Sequence, residues 1–142
     1  MSMTEISLTT NSMMADSGVE ALTRFLDVNV ARSKLIMANM ANVDTPGYRT
    51  RDLDFHTEMN RAEMNVGEWS EGQPVPLQYA AFAPVARPVR GLVERPDGNN
   101  VSVEREGLLL AETQMKFNLG VQLLKDEFHS ISQAINSGGT SS

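Results

Sequence analysis

Residues 38–55 read ANMANVDTPGYRTRDLDF. Pro46 pushes Thr45 out of the helical region, so a helix arriving from the N-terminal side ends near Asn42. Thr45-Pro46-Gly47-Tyr48 suits a type II turn, with Pro46 at its second position and Gly47 at its third, where φ is positive. The chain thus places the amides of Asn39 and Asn42 at a helix end and locks a turn behind them. Beyond the turn, RTRDLDF alternates: Arg49, Arg51, Leu53 and Phe55 share one face, and Thr50, Asp52 and Asp54 the other. That pattern predicts a short extended segment. The stretch carries no nucleophile beside a base, so a structural role is expected of it.

Working outward, the six prolines all fall between 46 and 96. They divide the chain into polar tails (1–16 and 137–142), two proline-free periodic segments (17–43 and 101–136) and an interrupted middle (44–100). The tails are expected to be disordered when free. Ser17 and Glu20 fit a capping box. Behind them Val19, Leu22, Leu26, Asn29, Ser33, Ile36, Met40 and Val43 recur at spacings of three and four, a heptad-like stripe with a polar centre. Val28 and Leu35 widen it. In the C-terminal segment Leu110, Phe117, Val121, Leu124, Phe128, Ile131 and Ile135 form a stronger stripe, flanked by Leu108, Met115, Leu119 and Leu123. Asn100 or Ser102 can cap its start, and Glu104 and Glu106 suit the first turn. Gly120 inside this helix costs about 1 kcal/mol relative to alanine; close approach of another helix is the preferred reading. In the middle, PLQYAAF (76–82) and RGLVE (90–94) carry weak strand signals between turns.

The chain has 142 residues, 41% of them hydrophobic and 6% aromatic, with no cysteine. Disulfides, thiolate metal sites and cysteine nucleophiles are excluded. The net charge of −6 argues against a nucleic-acid partner, which would need a basic footprint. The N-terminus lacks the basic and apolar regions of a secretory signal. No apolar run approaches the ~18 residues of a membrane span. The chain is expected to stay in the cytoplasm or to leave it by another route.

Asp52, Asp54 and His56, with Glu58 beyond, would share a strand face able to bind a divalent metal. The plainer reading, a solvated face, is preferred, because no second ligand cluster accompanies it. His129 is read as a boundary residue of the C-terminal helix. No nucleophile elbow and no glycine-rich phosphate loop is present. No catalytic residue, metal, cofactor or small-molecule substrate is expected.

The stretch 38–55, following a long N-terminal helix, resembles the bacterial flagellar basal-body rod proteins. Asn39, Ala41, Asn42, Asp44, Thr45, Pro46, Gly47, Tyr48, Arg49, Asp52 and Phe55 occupy the positions of that family's signature. A second match, DGNNVSVEREGLLLAETQMKFN (97–118), opens the C-terminal helix, and Asp97, Gly98, Asn99, Asn100 and Val101 carry it. Residues 60–95 are unmatched, and Met40 stands where an aliphatic is more usual. The short length, without a large inserted β domain, points to the proximal members. The resemblance implies a mainly α fold whose terminal helices pair as an antiparallel coiled coil around an irregular, short-β middle. It implies a structural subunit exported by the flagellar type III apparatus without a cleaved signal. Its partners would be copies of itself, other rod subunits, the export gate and the membrane-ring base, across the periplasm. Two readings from other classes stand beside it: a cytoplasmic helical adaptor that binds a partner helix through the C-terminal stripe, and a metal-dependent hydrolase using Asp52, Asp54 and His56.

Overall fold

The computed structural model describes residues 3–64 and 84–138, with side chains placed over 18–61 and 84–138. Helix α1 spans Met3–Ala41, strand β1 Arg51–Asp52, helix α2 Phe55–Met64, strand β2 Arg87–Pro88 and helix α3 Val103–Gly138. The fold is mainly helical. Its two long terminal helices pack on each other, and a two-stranded antiparallel sheet, Arg51 opposite Pro88 and Asp52 opposite Arg87, sits beside their junction.

The capping pattern starts α1 at Ser17. The chain is helical from Met3, so Ser17 lies inside the helix, and Glu20 pairs with Arg24 one turn on. The α1 end falls where Pro46 requires it. The turn has the expected form: the Tyr48 N–H donates to Thr45 O at 3.2 Å, and Gly47 has φ of 73°. The alternation over 49–55 yields less strand than its pattern suggests. The Asp54 carboxylate accepts from the Thr57 N–H at 3.0 Å and caps α2. This aspartate cap ends the extended run, so Phe55 and His56 are helical. RGLVE is not a strand; β2 lies just before it. PLQYAAF and residues 139–142 lie outside the described residues. At the far side, Ser102 Oγ accepts from the Arg105 N–H at 3.3 Å and caps α3.

Helix α3 runs back along α1. Asn39 meets Glu106. A β-carbon built on Gly120 would stand 2.8 Å from Leu26 Cδ2, and one on Gly18 would stand 3.4 Å from Glu127 Oε1. The centre of the seam is small and polar. On α3 the buried residues are Glu106, Thr113 and Gly120, seven apart, and among the described side chains of α1 they are Val28, Asn29, Ile36 and Asn39. The apolar stripe read from the sequence flanks this line: Leu22, Leu26, Met40, Leu110, Phe117, Val121, Leu124 and Ile131 are half-buried. Phe128 and Ile135 are 55% and 69% exposed. Phe55 brings α2 onto the pair, meeting Phe25 edge to face at 5.4 Å with the Lys116 ammonium 5.2 Å from its ring centre.

Gly120 is therefore a contact point, where a methyl would press on the Phe25 ring as well as on Leu26. Gly120→Ala should lower the unfolding free energy by about 1–3 kcal/mol through overpacking. Gly107, where a β-carbon meets nothing within 4 Å, provides the contrast. Gly107→Ala should gain up to about 1 kcal/mol from helix propensity. Thermal melts followed by circular dichroism check both signs.

Candidate functional site

The residues singled out by the two sequence matches meet at the junction of α1, β1 and α3. Asn39 is 1% exposed and lies at its centre. Its Nδ2 donates to Arg51 O at 2.8 Å and to Glu106 Oε2 at 2.9 Å. Its Oδ1 accepts from the Arg51 N–H at 3.1 Å and from the Tyr48 hydroxyl at 3.2 Å. That is the full capacity of a carboxamide. Toward Arg51 the side chain behaves as a neighbouring strand would, holding both main-chain groups of one residue.

The second match closes around the turn. Asn99 Nδ2 donates to Asn42 O at 2.9 Å and Thr45 O at 2.8 Å, and the Gly47 N–H donates to Asp97 O at 2.8 Å. Asn100 Oδ1 accepts from the Thr50 N–H at 2.7 Å, and its carbonyl accepts from the Thr50 hydroxyl at 3.2 Å. Arg95 Nη2 donates to Val43 O at 2.7 Å, satisfying a carbonyl just past the helix end. Gly98 has φ of 83°, and a β-carbon there would touch Gly47 Cα at 3.4 Å. The two loops thus press backbone on backbone where each carries a glycine. Asn99 Oδ1 accepts from the Val101 N–H at 2.8 Å, which leads the chain into α3.

Charges tie this clasp to the helices. Arg32 on α1 donates to both oxygens of Asp52, at 3.1 and 3.0 Å, with both side chains largely shielded from water. The Asp52 hydrogen bond raises the Arg32 guanidinium above its ordinary pKa against the opposing effect of burial. Arg105 reaches Asp52 at 3.5 Å and donates to Glu106. Glu106 is fully buried, and its two oxygens face Arg105 and Asn39. A continuous polar chain therefore runs Arg32–Asp52–Arg105–Glu106–Asn39–Tyr48. On the surface, Arg49 and Glu94 make a two-pronged pair at 2.6 and 2.9 Å.

Of the residues expected here, Asn39, Tyr48, Arg49, Asp52, Thr45, Gly47 and the run 97–101 take part. The Asn42 side chain stays local: its Nδ2 donates to Ala38 O and its Oδ1 accepts from Thr45, while its carbonyl serves Asn99. Ala41, Asp44 and Pro46 face solvent, and Phe55 packs on Phe25. Sequence reasoning missed Arg32, Thr50 and the pairing role of Glu106. A signal for Glu106 existed: a carboxylate seven residues before Thr113 and fourteen before Gly120, on the helix line that α1 covers, requires a partner. The carboxylates of the hydrolase reading are engaged elsewhere. Asp52 is held by two arginines, and Asp54 caps α2. No group of three metal-ligating side chains occurs among the described residues, and no described helix is long and apolar enough to cross a membrane.

No protein-family model matches the chain. Individual proteins do. It is 31% identical over 109 residues to the flagellar basal body rod protein FlgB of Cereibacter sphaeroides, covering 73% of this chain and 82% of that protein. It is 29% identical over 122 residues to the flagellar basal body rod protein FlgB of Salmonella typhimurium, covering 80% and 88%. The protein of the same name from Escherichia coli is 27% identical over 123 residues, with the same coverage.

Asn39→Ala removes four hydrogen bonds and leaves buried Glu106 with Arg105 as its remaining partner. Urea unfolding should show a loss of about 3 kcal/mol, against less than about 1 kcal/mol for Asn42→Ala. A pH effect follows from Asp97. The Asn99 N–H, and then Arg95, hold its carboxyl below the ordinary carboxylate range. A carboxyl depressed on folding contributes fully above its unfolded pKa and loses that contribution as pH falls through the lower folded value. Melting temperature should therefore fall on acidification below about pH 4. Asp97→Asn should flatten that slope, measured by melts across the acid range.

Proposed function

The chain belongs to the flagellar basal body rod protein FlgB family, and from that premise we propose how it builds the rod. It is a structural subunit of the flagellar basal-body rod and assembles with other rod and basal-body components. In our reading it occupies the proximal rod, contacts copies of itself, the export gate and the membrane-ring base, and crosses the periplasm. It leaves the cytoplasm through the flagellar type III apparatus without a cleaved signal. Its terminal helices act as an antiparallel coiled coil in the rod wall. The segments divide their work accordingly: 17–43 and 101–136 pair, and 44–100 leaves the wall.

The observation that carries this reading is the meeting of the two family-like motifs in one clasp. Residues 39–52 and 97–106 lock the helix end, the outgoing turn and the start of α3 into one direction. A subunit that repeats along a rod needs its outgoing segment aimed the same way in every copy. The clasp supplies that by filling the hydrogen-bonding capacity of Asn39 and by bringing Gly47 against Gly98.

The test is assembly in a strain that lacks its own subunit. Pro46→Ala combined with Gly47→Val forces a β-branched residue into positive φ. The variant should be soluble and exported, yet leave cells non-motile with no rod in purified basal bodies. Normal swimming of that strain would overturn the role given to the turn.

A further inference from the structure

Helix α3 carries apolar side chains beyond the face that meets α1. One side, along Glu106, Thr113 and Gly120, is covered by α1. At about 100° per residue, Leu108 and Met115 fall on the far side, and Leu119 and Leu123 step from there back toward the margin of the seam; the four are 72%, 73%, 57% and 45% exposed. Met115, Leu119 and Leu123 follow one another at intervals of four, the spacing of a ridge that packs into a groove on another helix. Helix α1 carries a shallow groove on its own outer face, floored by Val30, Ala31 and Leu35, walled by Pro84 and rimmed by Asp27 and Lys34. Met115 to Leu123 spans eight residue steps, and so does Asp27 to Leu35, about 12 Å each along a helix axis.

We propose that the outer row of α3 in one copy of this chain seats in the α1 groove of the next copy. The inference rests on the rod reading and names the contact within it. The occupant is a second copy because both halves of the match lie on this one chain. Charge supports the pairing. Lys34 on the groove rim and Asp126, three residues past Leu123, have opposite signs, and neither forms an ion pair among the described residues. A row that meets a groove is a heterologous contact. Each bound copy presents a free row and a free groove in turn, so the contact propagates into an open assembly and does not stop at a dimer.

The chain has no cysteine, so introduced thiols report on this contact alone. Full-length chains carrying Val30→Cys or Leu119→Cys are expressed in a strain lacking its own subunit, and purified basal bodies are oxidised. The expected result is a disulfide-linked pair when both variants are present together and none when either is alone. Self-linking of a single variant, linkage only to a different protein, or assembled chains that never link would overturn the contact while leaving the rod role intact. Absence of even the unaltered chain from basal bodies would overturn the rod reading and the contact with it. As a second measurement, Lys34→Asp and Asp126→Lys should each shrink swimming halos severalfold, and the two together should restore them. Single swaps without effect, or a pair without rescue, would overturn the contact as well.

Discussion

The carboxamide of Asn39 holds four groups at once, and the arrangement of the rest follows from that. A helix that ends inside a protein must find partners for its last carbonyls and release the chain in a fixed direction. Here one buried side chain fixes the outgoing strand through Arg51, the turn through Tyr48 and the returning helix through Glu106. An amide suits the task because it donates and accepts in equal number. An aspartate at the same place would set a second carboxylate against Glu106.

The seam between α1 and α3 is built for register more than for strength. Among the described residues the fully buried apolar side chains are Val28, Ile36 and Leu53, while Asn29, Asn39, Glu106 and Thr113 are buried beside them. Burial of a full aliphatic side chain contributes about 1.5–3 kcal/mol, so three of them do not make a large core. A buried carboxylate, by contrast, penalises every alignment that leaves it without its donors. Sliding α3 by one turn would strand Glu106 and lift Gly120 away from the Phe25 ring. The helix pair is therefore singular in its alignment, with half-buried leucines and valines along both margins.

Much of this was legible in the sequence. Pro46 and Gly47 dictated the helix end and the turn, and the periodicity of 101–136 dictated α3. Gly120 pointed to a close approach. Other features were hidden because they depend on partners distant in sequence. Arg32 reads as an ordinary surface arginine until Asp52 is folded against it. Glu106 reads as a favourable first-turn acid, yet α1 buries it completely. The alternation over 49–55 was a true pattern with a false extension, since Asp54 used its carboxylate to start a helix. The early start of α1 was missed because serine and glutamate can mimic a cap inside a helix that other residues have already begun.

The clasp also separates two parts of the molecule in terms of chain entropy. Arg49 with Glu94, β1 with β2, and Thr50 with Val89 hold together the two points where the chain leaves the helices and returns to them. Once the ends of a loop are fixed, doubling its length costs only about 0.6 kcal/mol of closure free energy. The stretch between α2 and β2 can therefore be lengthened, shortened or replaced while the helical wall keeps its alignment. One helical scaffold can then carry projections of very different size outward from the same anchor.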